Sequence, residues 1–324
     1  MLVVVQTLER NEPSAREGDS PSTAIARWGR SSVSPFLDGR ENVMISLPAG
    51  AGTGYLAVNR WAVMATGPAT PPGQFECGLD ALFAYLRALR RRPVFAAVAD
   101  IEPYLERGFV ATRIADNARI DLDRFCLEGS RMSSLRHSVT SARRCGLRVV
   151  PYCDELLEGV GLVSRGWLTT KRGGELGFTL GRFDPAILTA GNCRVALDAN
   201  DDVVGFVTWR SYDNGHGRVL DLMRRTVDAP NPTMDALIAQ SLFDFAALPG
   251  VDAASLAAVP LSYGSFSQRI YPTESLRRYK EKFAPIWEPL WLAAPSTRLL
   301  PSALNAVANS YCPGGVLQAL RRNA

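Results

Sequence analysis

Three short segments in the second half of the chain bring together acidic, basic and glycine residues of the kinds that build binding and catalytic sites. They are KRGGELGFTLGRFD at 171–184, DLMRR at 221–225 and YKEKFAPIWEP at 279–289. Of the 36 Lys and Arg residues only three are lysines, Lys171, Lys280 and Lys282, and all three lie in these segments. A lysine ammonium is a compact, strongly hydrated point charge that arginine does not reproduce. The alternative is that base composition favoured arginine and three lysines remained by chance.

Asp221 lies near the end of a predicted strand, RVLDLM, and two arginines follow it closely. Strict alternation places Asp221 and Met223 on one face of that strand, opposite Leu222 and Arg224. A carboxylate at a strand end can orient an amino group or help to move a proton, and a nearby arginine keeps it ionised. The alternative is a structural ion pair.

The glycine segment, 171–184, has glycines at 173, 174, 177 and 181. Glycines let a ligand approach the backbone closely, and Glu175 among them could receive an ammonium group. The segment is no phosphate-binding loop, because no GK[ST] sequence follows it. A glycine-rich turn carrying a surface glutamate is the alternative.

Arg136, Arg143 and Arg144 stand at positions i, i+7 and i+8 of a predicted helix and therefore share a face. The stretch 129–153 contains no Asp or Glu. A row of arginines of this kind is suited to following phosphate groups of nucleic acid or of lipid headgroups. The alternative is an ordinary solvated helix face.

Lys280 and Lys282 stand beside several aromatic residues, Tyr279, Phe283 and Trp287. Cationic and aromatic side chains together can contact a lipid headgroup, an RNA phosphate or a stacked base. In the alternative interpretation the aromatic side chains pack the end of the chain onto the core.

Composition excludes several classes of protein. The chain has 324 residues, 47% of them hydrophobic and 21% charged, with a net charge of +4, so attraction to an anion must come from local patches. Six cysteines without a CxxC pair and only two histidines predict reduced thiols and no metal site. No apolar run approaches the roughly 18 to 20 residues of a membrane helix, and no signal peptide is recognised. We therefore expect a cytoplasmic protein.

The loop TVDAPNPTMD argues against an acyl-CoA acetyltransferase. Such enzymes cradle pyrophosphate on a glycine-rich turn at a helix N-terminus, which suits phosphate. Here two prolines remove amide donors, and Asp228 and Asp235 repel phosphate.

Hydrophobic periodicity predicts an α/β fold in which the order strand, strand, helix, strand, helix, strand occurs twice. We predict a flexible lead-in at 1–32, two similar lobes at 33–150 and 151–295, and an amphipathic tail at 296–324. GYLAVNRWAVMAT is predicted to be a single strand.

Two helices have candidate capping residues. Ser130 or Ser133 is expected to cap the arginine-bearing helix, which ends at Gly146. Asn231 or Thr233 is expected to cap the helix TMDALIAQSLFDFAAL.

The segments WLTTKRGGELGFTLGRFD, DLMRR, TMD, VPLS and YKEKFAPIWEP, in this order, resemble the soluble domain of phosphatidylglycerol lysyltransferases. This is the multiple peptide resistance factor family of aminoacyl-phosphatidylglycerol synthases. FCLEGSRMSSLRHSVTSARRCG also resembles the family, and the similarity extends over roughly Val33 to Ala294. It implies two fused GNAT-like lobes.

The resemblance further implies transfer of an amino acid, lysine or a similar one, from aminoacyl-tRNA to a hydroxyl of phosphatidylglycerol or a related lipid at the inner membrane face. Aminoacyl-tRNA is then the co-substrate, no other cofactor is expected, and tRNA and anionic phospholipid are the partners. Asp221, Arg224 and Lys280 are the implied catalytic residues. Glu175 and Asp221 would hold the ammonium group, and Arg224 and Lys280 would stabilise phosphate or the developing oxyanion. We expect further substrate contacts from Lys171, Arg182, Asp235 and Lys282, and contacts to tRNA phosphates from Arg136, Arg143 and Arg144.

The sequence departs from the family pattern in three ways. It shows no many-helix membrane domain upstream, Pro232 replaces the usual glycine before TMD, and Leu256-Ala257 replaces the usual leucine-glycine before the PLS motif. The missing membrane domain leaves the identity of the acceptor open, and three alternatives stand beside transfer to lipid. They are transfer to a peptide or small molecule, as in Fem-type peptidyltransferases, a non-catalytic tRNA- or lipid-binding role, and acyl-CoA chemistry.

Overall fold

Eleven β-strands form one mixed sheet in the computed structural model, which describes residues 20–170, 178, 181–261 and 273–311. The strands are β1 (Val43–Leu47), β2 (Ala51–Val58), β3 (Trp61–Met64), β4 (Arg92–Val98), β5 (Val110–Asp121), β6 (Arg148–Pro151), β7 (Cys193–Leu197), β8 (Val203–Tyr212), β9 (Gly217–Arg225), β10 (Ala253–Pro260) and β11 (Ile286–Ala294). The α-helices are α1 (Pro21–Trp28), α2 (Phe75–Ala88), α3 (Glu102–Leu105), α4 (Ser133–Arg144), α5 (Leu157–Thr169), α6 (Thr233–Ala246), α7 (Thr273–Glu281) and α8 (Leu300–Tyr311).

The two halves of the chain repeat one arrangement. In the first half, β3 and β4 are parallel with α2 between them in sequence; in the second, β9 and β10 are parallel with α6 between them. The halves exchange their last strands, because β11 pairs with β4 while β5 pairs with β10. The predicted α/β fold class and its repeated order of elements are confirmed. The boundaries predicted for the two lobes stay predictions.

The sheet curls, so that strands near its two ends contribute to one buried cluster. Tyr55 of β2 belongs to the same buried cluster as Tyr212 of β8 and Val219 of β9, although β2 and β8 lie far apart in the strand order. The 3-10 turn Ser34–Leu37 contributes Phe36 and Leu37 to that cluster. Strong right-handed twist makes such curling possible. Residues from both halves of the chain therefore meet on the concave face.

Helices α5 and α6 cover opposite faces of the second half. On β8, Phe206 packs in the cluster that contains Val160 of α5. Its neighbour Val207 packs in the cluster that contains Leu237 of α6, and so does Trp209. This is the alternation of a strand buried on both sides. We call the two sides the α5 face and the α6 face.

Several sequence predictions need correction. The predicted single strand 54–66 is two strands, β2 and β3, joined at Asn59, whose φ is 53°. Residues 21–28, part of the predicted flexible lead-in, form α1, with the Ser20 side chain accepting from the Thr23 amide. Burial of Ala24 and Ile25 is what holds this helix in place.

The predicted helix caps are also wrong. Met132 and Pro232 occupy the N-cap positions of α4 and α6, and neither helix has a side-chain cap there. The described part of the predicted tail contains α8, which buries Ala303 and Ala306 against the first half of the sheet. None of the described helices combines the length and the apolar character needed to cross a membrane.

Candidate active site

A cleft of about 250 Å³ opens on the α5 face where the two halves of the chain meet. Its walls come from both halves of the chain. The first half contributes Phe36, residues 38–42 and Leu56, and the second contributes Phe178, Gly181, Arg182, Asp184 and Ile187 together with Arg210 of β8 and Asp221 of β9. The cleft thus collects parts of two of the three segments that the sequence singled out, because the curled sheet brings them together.

A β-bulge in β9 directs Asp221 into this cleft. Thr208 lies opposite Leu222 and Trp209 lies opposite Leu220, so Asp221 is an extra residue with no partner in the ladder to β8. Bulges often occur beside active sites and re-aim a side chain. Asp221 lines the cleft together with Arg210, which is on the α5 face, whereas Met223 packs against the α6 cluster. The predicted sharing of a face by Asp221 and Met223 is therefore wrong, because the bulge interrupts the alternation.

Gly181 touches the Asp221 carboxylate directly. A Cβ atom at Gly181 would overlap Oδ1 and Cγ of Asp221 and would lie 2.7 Å from Oδ2. No side chain therefore fits at this position unless the loop or the carboxylate moves. The sequence predicted that the glycines let a ligand approach the backbone closely, and at Gly181 the group that approaches is the Asp221 carboxylate of the chain itself.

Gly181→Ala should lower the free energy of unfolding by about 1–3 kcal/mol, because the added methyl group overpacks the site. Gly191→Ala is the matched control, since its Cβ would meet only the Thr189 Oγ1, at 3.7 Å. Urea titration of both variants measures the difference. Equal stability of the two would contradict the contact between Gly181 and Asp221.

Two ion pairs join the walls at the mouth of the cleft. Arg182 Nη1 lies 2.8 Å from Glu41 Oε1, and Arg40 pairs with Asp184. The Asp184 carboxylate also accepts from the Ala186 amide. Arg182, predicted to bind substrate, thus lies at the site with its charge balanced by Glu41.

Arg224 lies outside the cleft lining, beneath α5. Only 1% of its surface is exposed. Its Nη1 donates to Ser164 Oγ at 2.6 Å, and its guanidinium stacks 4.8 Å from the centre of the Trp167 ring. Arg224 shares the α5 face with Asp221, about 10 Å further along β9.

Lys280 is buried where β9 and β10 part. The two strands pair only over Ala253–Ser255, and β10 then bulges between Ser255 and Ala258. The Lys280 Nζ donates to the carbonyls of Ala257 at 3.0 Å and Ala258 at 3.1 Å. Only 4% of Lys280 is exposed, and burial lowers the pKa of its amine to about 7.

Ala257 explains one departure from the family pattern. Its φ of 64° lies in the left-handed region, where glycine is least strained. The usual glycine of the motif suits this conformation, and the chain adopts it with alanine while offering its carbonyl to Lys280.

Asp235 and Lys282 pair with each other at the start of α6. Their charged atoms lie 3.0 Å apart, and only 4% of Asp235 is exposed. Burial, and then Asp235, raise the pKa of the Tyr279 hydroxyl well above its usual value. The carboxylate occupies the first turn of the helix, the position where an anion is stabilised by the helix dipole. Neither Asp235 nor Lys282 lines the cleft.

The predicted arginine row lies on α4, which packs against α6 on the α6 face. Arg143 and Arg144 are exposed there. Arg136 is exposed as well, but its Nη1 donates to the carbonyls of Leu127 and Gly129 and so holds that loop. The row therefore lies on the opposite side of the sheet from the cleft.

Lys171 and Glu175 lie outside the described residues, so their roles stay predictions. Within the described ranges no group of three or more His, Cys, Asp or Glu side chains is arranged to hold a metal ion. Arg210 is a cleft residue that the sequence reasoning missed. Its signal was an arginine, the one charged residue, inside the mostly apolar strand VVGFVTWRSY.

Comparison with known proteins identifies the family of the chain. Residues 36–294 match the family described as phosphatidylglycerol lysyltransferase, C-terminal. A phosphatidylglycerol lysyltransferase of Bacillus subtilis is 30% identical over 223 residues, which are 62% of this chain and 26% of that protein. The chain thus spans about a quarter of the length of this relative.

Two solved structures share the fold. The C-terminal domain of an Agrobacterium fabrum protein superposes with a TM-score of 0.77 at 24% identity, covering 91% of this chain and 98% of that one. L-PGS of Bacillus licheniformis gives a TM-score of 0.76 at 24% identity, covering 92% and 100%. With the family match over residues 36–294, the chain belongs to the phosphatidylglycerol lysyltransferase C-terminal domain family.

Proposed function

We propose that this chain transfers an amino acid, lysine or a similar one, from aminoacyl-tRNA to a hydroxyl group of phosphatidylglycerol or a related lipid at a membrane surface. The observation that carries the proposal is the Asp221 carboxylate, directed by a bulge into a cleft that both halves of the chain enclose. Family membership and the activity by which the Bacillus subtilis relative is named support it.

The reaction depends mainly on how the aminoacyl ester and the lipid hydroxyl are positioned relative to each other. The lipid hydroxyl oxygen attacks the ester carbonyl carbon of the aminoacyl-tRNA, and the bond from that carbon to the ribose oxygen breaks. The proton of the lipid hydroxyl passes to the ribose oxygen that leaves. Because an aminoacyl ester is already activated, orientation of the two substrates can supply most of the rate without a covalent intermediate.

Asp221 is proposed to bind the α-ammonium group of the aminoacyl ester. A carboxylate held against Gly181 has a restricted position, so the ammonium and the adjoining carbonyl are placed with it. Glu175, in the same glycine segment, is proposed to share this role.

Lys280 is proposed to act in proton transfer or oxyanion stabilisation, for which its amine has to leave the two carbonyls that it bonds here, because it does not line the cleft. A pKa of about 7 lets its amine gain or lose a proton near neutral pH, which suits general acid–base chemistry. Lys280 bonds to β10, the strand whose first residues pair with β9. Arg224, buried and bonded to Ser164, is proposed as a positioning residue that holds β9 against α5.

The arrangement at α6 does not favour acyl-CoA as the donor. In acyl-CoA-dependent enzymes of this fold type a helix N-terminus at this point receives pyrophosphate. Here the buried Asp235 carboxylate and its partner Lys282 occupy the first turn of α6. A second anion there would meet a carboxylate, so the structural contact agrees with the argument from the proline-rich loop.

The arginine row on α4 is proposed to bind tRNA phosphates. Arg143→Gln combined with Arg144→Gln should raise the KM for aminoacyl-tRNA. It should also reduce the slope of the logarithm of the tRNA-binding constant against the logarithm of the salt concentration by about 1 to 2, since each neutralised phosphate contributes about 0.7 to 0.9 to that slope. Arg60→Gln with Arg87→Gln, both exposed and on the first half, is the charge-matched control. An unchanged salt slope in the α4 variant would place tRNA elsewhere.

The test of the proposed function is transfer of label. The protein is incubated with tRNAs charged with one labelled amino acid at a time and with vesicles of phosphatidylglycerol, and the lipids are then extracted. Label in the lipid fraction, dependent on the protein, supports the proposal and names the amino acid. Label that stays on tRNA, with folded protein, counts against a lipid acceptor. The same assay with peptides and cell extract then tests other acceptors.

A further inference from the structure

We propose that Arg210 binds the phosphodiester of the acceptor lipid's headgroup. This inference rests on the proposed function and adds to it a residue that recognises the acceptor. Arg210 stands on β8 opposite Val219, one pair away from the bulge that directs Asp221 into the cleft. Both side chains line the same cleft, so a ligand held by one lies within reach of the other.

Arg210 differs from the other two arginines of the cleft in forming no ion pair with a described residue. Arg40 pairs with Asp184 and Arg182 pairs with Glu41. Among the described residues, the half-buried Arg210 guanidinium makes no hydrogen bond and no ion pair, and its Cζ lies 5.4 Å from the centre of the Phe36 ring. Partial burial of a charge without a partner is unfavourable, so the site gains free energy when an anion enters.

Contact with Phe36 also orients the guanidinium. Stacking on an aromatic ring holds the plane of the group and leaves its N–H edges for a ligand. Two parallel N–H groups match two oxygens of a phosphodiester in a bidentate pair, which a lysine ammonium cannot reproduce. The geometry at Arg210 therefore suits one phosphate group.

The remaining walls favour a lipid over a nucleic-acid backbone. Apolar side chains, Phe36, Leu56 and Ile187, face the cleft and suit glycerol and the first methylenes of an acyl chain. Four carboxylates, Asp38, Glu41, Asp184 and Asp221, line it against three arginines, two of which are already paired, so the cleft offers a place for one phosphate at Arg210 and not for a row of phosphates.

The two cations first expected to stabilise phosphate are less accessible. Arg224 is 1% exposed and donates to Ser164, and Lys280 is 4% exposed and donates to two carbonyls. Neither lines the cleft, and reaching a headgroup would require them to leave these bonds. Arg210 needs no such rearrangement.

Steady-state transfer by Arg210→Gln and Arg210→Lys tests the proposal, with phosphatidylglycerol varied in vesicles of phosphatidylcholine. We expect the Gln variant to raise the KM for phosphatidylglycerol about 10- to 100-fold, the range for losing a charged hydrogen bond, with the KM for aminoacyl-tRNA unchanged. The Lys variant should recover part of the loss, since it keeps the positive charge but lacks the two parallel N–H groups of the guanidinium. Arg60→Gln, an exposed arginine in the turn after β2, should behave as the unaltered protein.

A second measurement tests binding at Arg210 independently of whether the protein transfers an amino acid to lipid. Glycerophosphoglycerol, the headgroup without acyl chains, is titrated into the unaltered protein and into Arg210→Gln by calorimetry, without tRNA. Weaker binding to the Gln variant supports the assignment even if no transfer to lipid is found. Equal binding, or none to either protein, overturns it. A Gln variant that folds normally and raises only the KM for aminoacyl-tRNA also overturns it and assigns Arg210 to a tRNA phosphate.

Discussion

Asp221→Asn should transfer the aminoacyl group at least about 100-fold more slowly than the unaltered protein, the size of loss that follows when a reacting group is misplaced. Asparagine keeps the shape of the side chain, so Gly181 can still rest against it. It lacks the negative charge that attracts the α-ammonium group, and the ester carbonyl is then no longer held toward the lipid hydroxyl. Transfer from labelled aminoacyl-tRNA to lipid under single-turnover conditions measures the effect.

Binding of tRNA separates this role from a general loss of structure. The arginine row lies on the α6 face, away from the cleft, so the Asn variant should bind tRNA with the affinity of the unaltered protein. Asp123→Asn, an exposed aspartate after β5, is the matched control and should transfer normally. Transfer by Asp221→Asn within about threefold of the unaltered protein would show that this carboxylate does not hold the amino acid.

Lys280→Met is the substitution with the second large expected effect, and it should lower the transfer rate while raising the stability of the fold. Loss of a proton-transfer or oxyanion-stabilising group slows transfer by about 10²- to 10⁴-fold. Stability should increase at neutral and lower pH, because the Met variant no longer buries an amine that is charged there. Methionine is close to lysine in length and fills the same apolar space.

The pH dependence of stability follows from the direction in which burial shifts the Lys280 pKa. Burial lowers the folded-state pKa of Lys280 to about 7 from its ordinary value of 10.5. Below pH 7 both folded and unfolded chains hold the proton, and the cost of burying the charge is fully present. Between pH 7 and 10.5 the unfolded chain holds a proton that the folded chain has lost, so rising pH stabilises the native protein by up to about 1.4 kcal/mol per unit.

Urea titrations between pH 6 and 10 measure this slope. The stability advantage of Lys280→Met over the unaltered protein should be largest near pH 6 and should shrink toward pH 10. Arg278→Met, an exposed cation on the same helix α7, should keep the slope of the unaltered protein. A constant difference between Lys280→Met and the unaltered protein across this range would mean that the amine does not titrate there.

Sequence alone determined the class of the fold and pointed to several of the residues that line the cleft. Hydrophobic periodicity is a local property, so the order of strands and helices in each half could be read from it. Asp221 and the segment ending at Asp184 were picked out because acidic and glycine residues stand at strand ends and loops, and both do meet in the cleft. Lys280 drew attention because lysine is scarce, and its catalytic role was implied by the family resemblance; its burial beside β10 is a position that few lysines occupy.

Only the tertiary structure decided how these residues are arranged. The bulge at Asp221 depends on the register between β8 and β9, which is set by packing on both faces and overrides the alternation along one strand. Arg224 and Arg210 are both strand arginines, yet α5 covers the first and the cleft exposes the second, because burial depends on distant segments. The exchange of β5 and β11 and the curl that joins β2 to β8 likewise rest on contacts far apart in sequence, which no local pattern records.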